Sequence, residues 1–452
     1  MSCIVQTTQT HEEFRRCIPL AALEEHLGDE EIEAICSDLG HFWRDRQLPP
    51  ALTLRSCVAR GLNPDHSIAR VLATLAAFGD PEVAAPTDSA WCQARSRLPE
   101  ELFRELIARK AHSCRRRFGA AYQWNGRWVF VADGSTVSMP DQPSLVDAFG
   151  YANTKHGPSR FPVARVTFLE VAGLEVIWDY RIGPYRISED HQFQEMWPSL
   201  PSGCICLLDR KFGSFYTLSK LRQRRIGVVT LLHQRRNPHA LIRDGRPIGP
   251  NEWIVPLRLS PQLRRKYADP SLPKVLWVRL IRATFRRGRK LKTLWVVTTL
   301  MDPITYPRRD IVAAYRRRWG IEPRIGSLKT TLEMDVLRSK SPGAVRREVA
   351  SIILGHNLVW TLIHEAAEQG DVAAGDISFA GAVKAVGEFS PILALTAGQR
   401  HQRLRQKMLE YIASQLNHHP FDRVEPRRIK RDRHRYPYLK EPRAVARAKC
   451  LT

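Results

Sequence analysis

The arrangement of apolar positions divides the chain into regions with different expected secondary structure. From residue 11 to about residue 118, apolar residues recur at helical spacing, as in DEEIEAICSDL (29–39) and SIARVLATLAAF (67–78). Glycine and proline then interrupt the pattern, and Thr87 or Ser89 is placed to cap a helix through SAWCQARSRL. The pattern predicts a helical N-terminal domain over residues 1–124.

Two helices separated by such a turn are compatible with a helix-turn-helix. In this interpretation Gln93, Arg95 and Arg97 face DNA from the second helix. An ordinary helical bundle with a charged outer face explains the same residues. The sequence leaves both interpretations open.

Beyond residue 124, short apolar runs rich in valine, isoleucine and aromatic residues predict strands. One run ends at Asp133, and another ends at Asp209. Two more runs flank a turn at Ala172–Gly173, and predicted helices alternate with the later strands. The mixture predicts an α/β fold with a mixed sheet over residues 125–233. The runs are GRWVFVADG, ARVTFLEV, LEVIWDYRI, CICLLDRKFG and IGVVTLLHQ, and the helices are EDHQFQEMW and SFYTLSKLRQRR.

Residues 234–290 carry turn signals between the strands EWIVPLRLS and KVLWVRLIRATF, which predicts a β-rich insertion. Its RRGRK stretch (286–290) is expected at a hairpin tip. LWVVTTL (294–300) returns to the apolar strand pattern and opens a second part of the core over residues 291–370. A helical and basic region, 371–452, completes the chain.

The net charge of the chain indicates what kind of partner it binds. The chain has 70 Lys and Arg against 46 Asp and Glu, a formal net charge of +24. Such an excess favours a polyanion, and nucleic acid is the usual one, although a solvated surface is the alternative. RRGRK, the tail 423–449 and Arg210 are therefore expected DNA contacts, while each alone is typical of exposed surface.

Neither a signal peptide pattern nor a long apolar run is present in the sequence. The nine cysteines form no Cys-x-x-Cys pair, which gives no support to a zinc ribbon. We expect a soluble, cytoplasmic, nucleoid-associated protein in a reducing compartment, with no membrane partner.

The two strand-end aspartates are candidate metal ligands. Side chains at strand ends project into the crevice where α/β proteins bind ligands. Carboxylates suit hard divalent cations, and a pair of such ions promotes in-line displacement at phosphorus. Asp133 and Asp209 alone are a weak signal, because aspartates also form turns and cap helices.

A third segment strengthens the hypothesis. Arg318, Glu322 and Lys329 follow Tyr315 by three, seven and fourteen residues, which places all four on one face of a helix. An acid between two bases suits a phosphate-cutting site, but a salt-bridged solvated face has the same pattern. Pro323 predicts a kink after Glu322, so that Glu322 ends one helical segment and Lys329 lies on the next.

With these residues the sequence resembles the fourth large family of bacterial insertion-sequence transposases, which are of the DDE type. The family motif of tyrosine, arginine, glutamate and lysine is met at Tyr315, Arg318, Glu322 and Lys329. The other two family blocks match VADGSTVSMPD and LLDRKFGSF, which assign the first acid to Asp133 and the second to Asp209.

The resemblance implies an RNase H-like core interrupted by a β-rich insertion, and an N-terminal domain that binds transposon ends. It implies that Asp133, Asp209 and Glu322 hold two divalent ions, Mg²⁺ or Mn²⁺. The expected partners are inverted-repeat ends and target DNA, bound by a homodimer in the synaptic complex. The implied chemistry is cut-and-paste transposition, through a hairpin end in the best-known members.

Trp295 is also carried over from the resemblance. A tryptophan on the strand that enters the last catalytic segment holds a flipped base in a family relative, and Trp295 lies 27 residues before Glu322. An aromatic face can receive an unstacked base. A core tryptophan in a buried strand is the competing interpretation.

Two other functions compete with transposition. One is a catalytically silent DNA-binding protein derived from a transposase, which the presence of all three acids disfavours. The other is a metal-dependent nuclease without strand joining, which the tyrosine-to-lysine motif and Trp295 disfavour.

Overall fold

A computed structural model describes residues 20–44, 47–63, 66–78, 84–154, 157–287, 290–318 and 321–417, with residues 445, 448 and 449. The chain divides into two compact units, Met1–Leu416 and Asn417–Thr452. All elements below belong to the first unit. Most of the predicted basic tail, 423–449, lies outside the described residues.

The N-terminal part is helical, as the pattern predicts. Thr87 caps the fourth helix, since its hydroxyl accepts a hydrogen bond from the amide of Ala90. The second helix, which begins with Pro50 at its first turn, is buried along its whole length and forms the centre of this part. The described elements are a 3₁₀ turn Ala21–His26, α1 Asp29–Asp38, α2 Pro50–Leu62, α3 Ile68–Phe78, α4 Asp88–Arg97 and α5 Glu100–Phe118.

A ten-stranded mixed sheet follows, with the order β2-β3-β1-β5-β6-β10-β9-β8-β7 and β4 paired to β3. β3 runs antiparallel to β1 and β4, whereas β5 runs parallel to β1 and β6. The order β4-β3-β1-β5-β6 with these directions is that of an RNase H-like fold, which confirms the predicted fold class. The strands are β1 Val129–Ser138, β2 Tyr151–Thr154, β3 Gly157–Val171, β4 Val176–Pro184, β5 Ile205–Leu208, β6 Gly227–Leu231, β7 Arg246–Gly249, β8 Glu252–Arg258, β9 Val275–Arg287 and β10 Lys290–Thr298.

The strands of the predicted insertion extend this same sheet. β10 pairs antiparallel with β6, and β9, β8 and β7 continue outward from it. Arg287 pairs with Lys290, so the hairpin expected at RRGRK is present, while residues 288 and 289 lie outside the described residues. The limits of the five predicted domains stay predictions.

The first strand is longer than predicted. It continues past Asp133 to Ser138 because β3 pairs with it as far as Ser138. β5, in contrast, ends at Leu208, opposite Ala132. Asp133 is therefore inside a strand. It is nevertheless the first residue of β1 beyond its pairing with β5, so on that side it lies at the carboxyl end of the parallel strands.

Helices cover the sheet. α7 packs on β3 and β4, α8 on β6, α11 on β5 and β6, and α12 on β1, while α13 packs on α2, α5 and α15. Gly61 and Gly355 lie where α2 and α13 touch, and an added Cβ would meet Ile352 or Leu62. The remaining helices are α6 Pro143–Phe149, α7 Glu189–Met196, α8 Phe215–Gln223, α9 Pro238–Arg243, α10 Pro261–Tyr267, α11 Arg308–Arg318, α12 Ile321–Thr330, α13 Pro342–Gly370, α14 Phe379–Ala394 and α15 Gly398–Ser414.

The expected single helix through Tyr315 and Lys329 is two helices, and this corrects the one-face geometry. α11 ends at Arg318, and α12 begins at Ile321, one residue before Glu322. The predicted kink after Glu322 is also misplaced, because Pro323 occupies the first turn of α12, where a missing N–H costs nothing. Tyr315 and Arg318 thus lie on one helix, and Glu322 and Lys329 lie on the next.

Among the described helices, none combines the length and the apolar character needed to cross a membrane.

Candidate active site at the carboxyl edge of β1 and β5

Asp133 and Asp209 are brought side by side by the pairing of two parallel strands. Ala132 is in register with Leu208, and the residue that follows each of them in the chain is an aspartate. Neighbouring strands lie about 4.8 Å apart, which places the two Cα atoms within reach of a shared ligand. The hydroxyl of Thr230 on β6 donates to the carbonyl of Asp209 (3.1 Å) and fixes the backbone there.

The carboxyl group of Asp133 is half-buried, with both acids and a base near it. Burial raises its pKa, and the carboxylates of Glu189 and Asp209 raise it further, against the opposing effects of the Gly134 amide and of Arg318. The Gly134 amide donates to Oδ1 of Asp133 at 2.8 Å. The ionised form of Asp133 is thus disfavoured, and a nearby cation would relieve this.

Two residues of α11 lie beside Asp209. The guanidinium of Arg318 is 4% exposed, and its Nη2 lies 3.7 Å from Oδ1 of Asp209. Arg318 also lies over the ring of Tyr315, 5.4 Å from its centroid. Burial raises the pKa of the Tyr315 phenol, against the opposing charge of Arg318. Both side chains are therefore interior groups at the acids, and neither forms a solvated helix face.

The other two motif residues lie on α12, which packs against β1. Lys329 is half-buried in the last turn of that helix. Glu322 is in the first turn, and its side chain lies outside the described residues. Among the side chains that are described, no three His, Cys, Asp or Glu residues are grouped closely enough to hold a metal ion. The described part of the site therefore supplies two neighbouring acids.

Two segments of the chain match known protein families. Residues 124–358 match the transposase DDE domain family, and residues 17–108 match the N-terminal family of the insertion element 4 transposase. The chain belongs to the DDE transposase family. All three predicted acids and all four motif residues fall within the first match.

Two curated relatives come from Escherichia coli strain K12. The transposase InsG for insertion sequence element IS4 is 26% identical over 353 residues, which cover 75% of this chain and 76% of InsG. InsZ is 29% identical over 239 residues, which cover 52% of this chain and 78% of InsZ. A cryo-EM structure of the piggyBac transposase synaptic complex with hairpin DNA matches with a TM-score of 0.46 at 12% identity, over 89% of this chain and 86% of that chain.

Glu189 is an acid near Asp133 that the sequence did not indicate. It lies directly over Gly134, where an added Cβ would meet Cγ and Cδ of Glu189 at 2.5 Å. Arg165 binds its Oε1 at 2.6 Å, and Lys211 lies 3.8 Å from its Oε2. An acid in the first turn of a helix is ordinary, so α7 gave no local signal. Only the tertiary structure brings Glu189 to Asp133.

Arg210 follows Asp209 in a 3₁₀ turn, Arg210–Phe212. Its buried Nε has no hydrogen-bond partner among the described residues. Burial lowers the pKa of nearby His233, and the charges of Arg235, Arg236 and Arg210 lower it further. Arg210 is therefore a cationic residue next to Asp209, and its charge also acts on His233.

Trp295 lies at the same end of the strands as Asp133 and Asp209, but it is not next to them. Val296 pairs with Leu231, the β6 residue in line with Asp209, and two strand spacings make the lateral distance about 10 Å. The half-buried ring of Trp295 contacts Trp253 and His239, with centroids 6.1 Å and 5.8 Å away. Its packing is that of a partly covered aromatic cluster.

The proposed DNA-facing role of Arg95 is wrong. Arg95 is 9% exposed, lies over the ring of Trp91 and donates to the hydroxyl of Ser339 at 3.3 Å. Its guanidinium joins α4 to the segment before α13 instead of facing solvent. Gln93 and Arg97 are exposed on the same helix.

The residues present at the edge suit a hard divalent cation. The two aspartates directly follow a pair of residues in register, and burial raises the pKa of Asp133, so a bound cation would favour its ionised form. Oxygen ligands of this kind are those that Mg²⁺ and Mn²⁺ prefer. Asp133 and Asp209 therefore fit the ions that the family resemblance implies.

Proposed function

We propose that this transposase cleaves and joins DNA by the cut-and-paste route, with Asp133, Asp209 and Glu322 as its metal-binding acids. The observation that carries the proposal is the strand register that sets Asp133 beside Asp209. The contact between Arg318 and Asp209 supports it, because Arg318 ends the helix that precedes Glu322.

Two bound Mg²⁺ or Mn²⁺ ions would supply activation of the attacking oxygen and stabilisation of the leaving oxygen. The three acids would hold these ions at the end of β1, the end of β5 and the start of α12. Arg318 keeps Asp209 oriented, while Tyr315 packs against Arg318 and limits its movement. Lys329 and Arg210 supply positive charge for phosphate oxygens.

The proposed reaction sequence consists of phosphoryl exchanges. Water first attacks a phosphorus at the transposon end, forming one P–O bond, breaking one and freeing a 3′-hydroxyl. That hydroxyl then attacks the opposite strand and closes a hairpin, which a second water reopens. In the last step the 3′-hydroxyl joins target DNA. Each step exchanges one P–O bond for another, so no further reactant is needed.

The proposed partners are the inverted-repeat ends of the element and the target duplex. The net charge of +24 supports this, because a polyanion offsets it. A homodimer would hold two ends together in the synaptic complex.

The test uses the full chain and labelled duplexes taken from the DNA that flanks its coding sequence, with Mg²⁺ added. Asp133→Asn, Asp209→Asn and Glu322→Gln should each abolish nicking and leave duplex binding intact. Asp244→Asn is the matched control, because that exposed acid pairs with Arg258 away from the sheet edge and should nick normally. Nicking retained by any of the three variants would remove that residue from the site.

The same assay separates the competing functions. A silent DNA-binding protein binds the duplex and never nicks it, whereas a nuclease nicks it without yielding hairpins or joined products. Appearance of both hairpin and joined strands supports transposition.

Trp295 has a separate test. We propose that its ring receives a base during hairpin formation, with support from its place at the same sheet edge as Asp209. Trp295→Ala should reduce hairpin yield more than first-strand nicking, and Trp295→Phe should recover part of it. An equal loss of both activities would indicate a packing role.

A further inference from the structure

The segment between α1 and α2 presents an aromatic side chain to solvent. Along His41–Arg44 exposure alternates, as in an extended chain: His41 and Trp43 are half-buried, while Phe42 and Arg44 are exposed. The His41 and Trp43 rings are stacked, with centroids 6.3 Å apart, and Trp43 packs against the core. Phe42 itself is 88% exposed. The segment is thus anchored on one side and free on the other.

A cleft of about 790 Å³ separates this segment from helix α4. Gln93 and Arg97, one helical turn apart, form its opposite wall, and Leu48 and Thr53 are also among its lining residues. Both wall residues are exposed. The cleft therefore has an aromatic and a cationic side chain on one wall, and an amide and a cationic side chain on the other.

The charge of the cleft selects its occupant. Arg44 and Arg97 are both exposed, and the charge of Arg97 adds to burial in lowering the pKa of His41. The described residues that line the cleft include two arginines and no acid, so a cationic partner surface would be repelled there. A phosphate backbone matches the two guanidinium groups, and stacked bases offer apolar faces for Phe42.

We propose that this cleft is a DNA-binding site, in which Phe42 inserts against a base step of a duplex and Arg44 and Arg97 bind the flanking phosphates. The inference rests on the proposed transposase function and adds a second DNA contact, distinct from the catalytic edge. It also replaces the contact once expected from Arg95, whose guanidinium is turned inward. Apolar wedges of this kind unstack and bend the duplex that they enter.

The experiment measures duplex affinity by fluorescence anisotropy without divalent metal, across a series of salt concentrations. The probes are labelled duplexes that tile the DNA on each side of the coding sequence. Phe42→Ala should weaken binding about tenfold, the effect of one lost stack, with an unchanged salt dependence. Phe42→Trp should retain affinity. Arg44→Ala with Arg97→Ala should reduce the salt slope by about two, because two phosphate contacts are lost.

Ile304→Ala is the control, because Ile304 is an apolar side chain of similar exposure, 86%, that does not line the cleft. It should bind as the wild type does. A base analogue such as 2-aminopurine should brighten at one step of the duplex on binding, and Phe42→Ala should remove that signal.

Wild-type affinity and fluorescence in Phe42→Ala would overturn the wedge, and an unchanged salt slope in the double arginine variant would overturn the cleft. Absence of any duplex binding by the wild type would instead count against the transposase function itself. Thermal melting of each variant should match the wild type, since Phe42 and both arginines are exposed.

Discussion

Two acids in different parts of the molecule, Glu348, which is buried, and Asp133, which is half-buried, have opposite surroundings. Glu348 on α13 is 3% exposed and accepts hydrogen bonds from Arg60 and from the amides of Arg338 and Ser339. Among the described residues, the bond that Asp133 accepts comes from the amide of its own neighbour, Gly134.

The pKa values follow this difference. Burial alone would raise the pKa of Glu348, but Arg60 and the hydrogen bonds from Ser339 and Arg338 lower it. Burial raises the pKa of Asp133, Glu189 and Asp209 raise it further, and the Gly134 amide and Arg318 offset only part of this. An acid whose carboxylate oxygens all accept hydrogen bonds serves the fold. An acid whose oxygens keep free lone pairs is available to a ligand.

The largest expected effect is on DNA cleavage and comes from neutralising Asp133. Asp133→Asn should reduce DNA cleavage by about three to four orders of magnitude, as loss of an essential catalytic group does. Its melting temperature should equal or exceed that of the wild type, because an unfavourable buried charge is removed. A large drop in melting temperature would show that Asp133, like Glu348, is a structural acid.

Glu348 should show the reverse pattern, with stability lost and DNA cleavage kept. Glu348→Gln should lower the free energy of unfolding by about 3 kcal/mol, because Arg60 is left buried without its partner charge. Urea unfolding measures the loss, and cleavage per folded molecule should be retained. Glu368→Gln, on the exposed side of the same helix, is the control and should change stability little.

A second acid held by charged partners, Glu365, should make the stability of the protein depend on pH. Glu365 on α13 is held by His26, Arg405 and Arg117, which lower its pKa from 4.5 to about 2 although burial opposes them. Since the folded pKa is below the unfolded one, this stabilisation is full above about pH 4.5 and is lost as the pH falls towards 2.

Urea unfolding of the wild type and of Glu365→Gln across this range tests the sign. The wild type should exceed the variant by on the order of 2–3 kcal/mol at neutral pH. The difference should shrink steadily as the pH falls from 4.5 towards 2. A difference that grows on acidification would contradict the assignment.

The smallest effect concerns the contact between Glu189 and Gly134. Gly134→Ala places a Cβ within 2.5 Å of Glu189, so it should cost about 1 kcal/mol of stability. In a Glu189→Ala background, where the space is vacant, Gly134→Ala should have no cost, and calorimetry of the two single variants and the double variant measures this. An equal cost in both backgrounds would place the strain in the backbone of β1.

Local patterns were enough for most of the elements, because helix and strand periods, the Thr87 cap and the hairpin at RRGRK depend on residues close together in sequence. They failed where a distant partner decides the outcome. β1 continues past Asp133 because β3 pairs with it, and the motif helix is divided into α11 and α12. Arg95 turns inward because Trp91 and Ser339 receive it.

Motifs and local periods were sufficient to assign the family, the fold class and the spacing of three acids on separate segments. That Asp133 is level with Asp209, and that Glu189 lies over Gly134, follows only from the folded arrangement. The folded arrangement also leaves Phe42 exposed beside a cleft. The physical reason is that strand register and helix docking are set by packing between residues far apart in the chain, which no local period records.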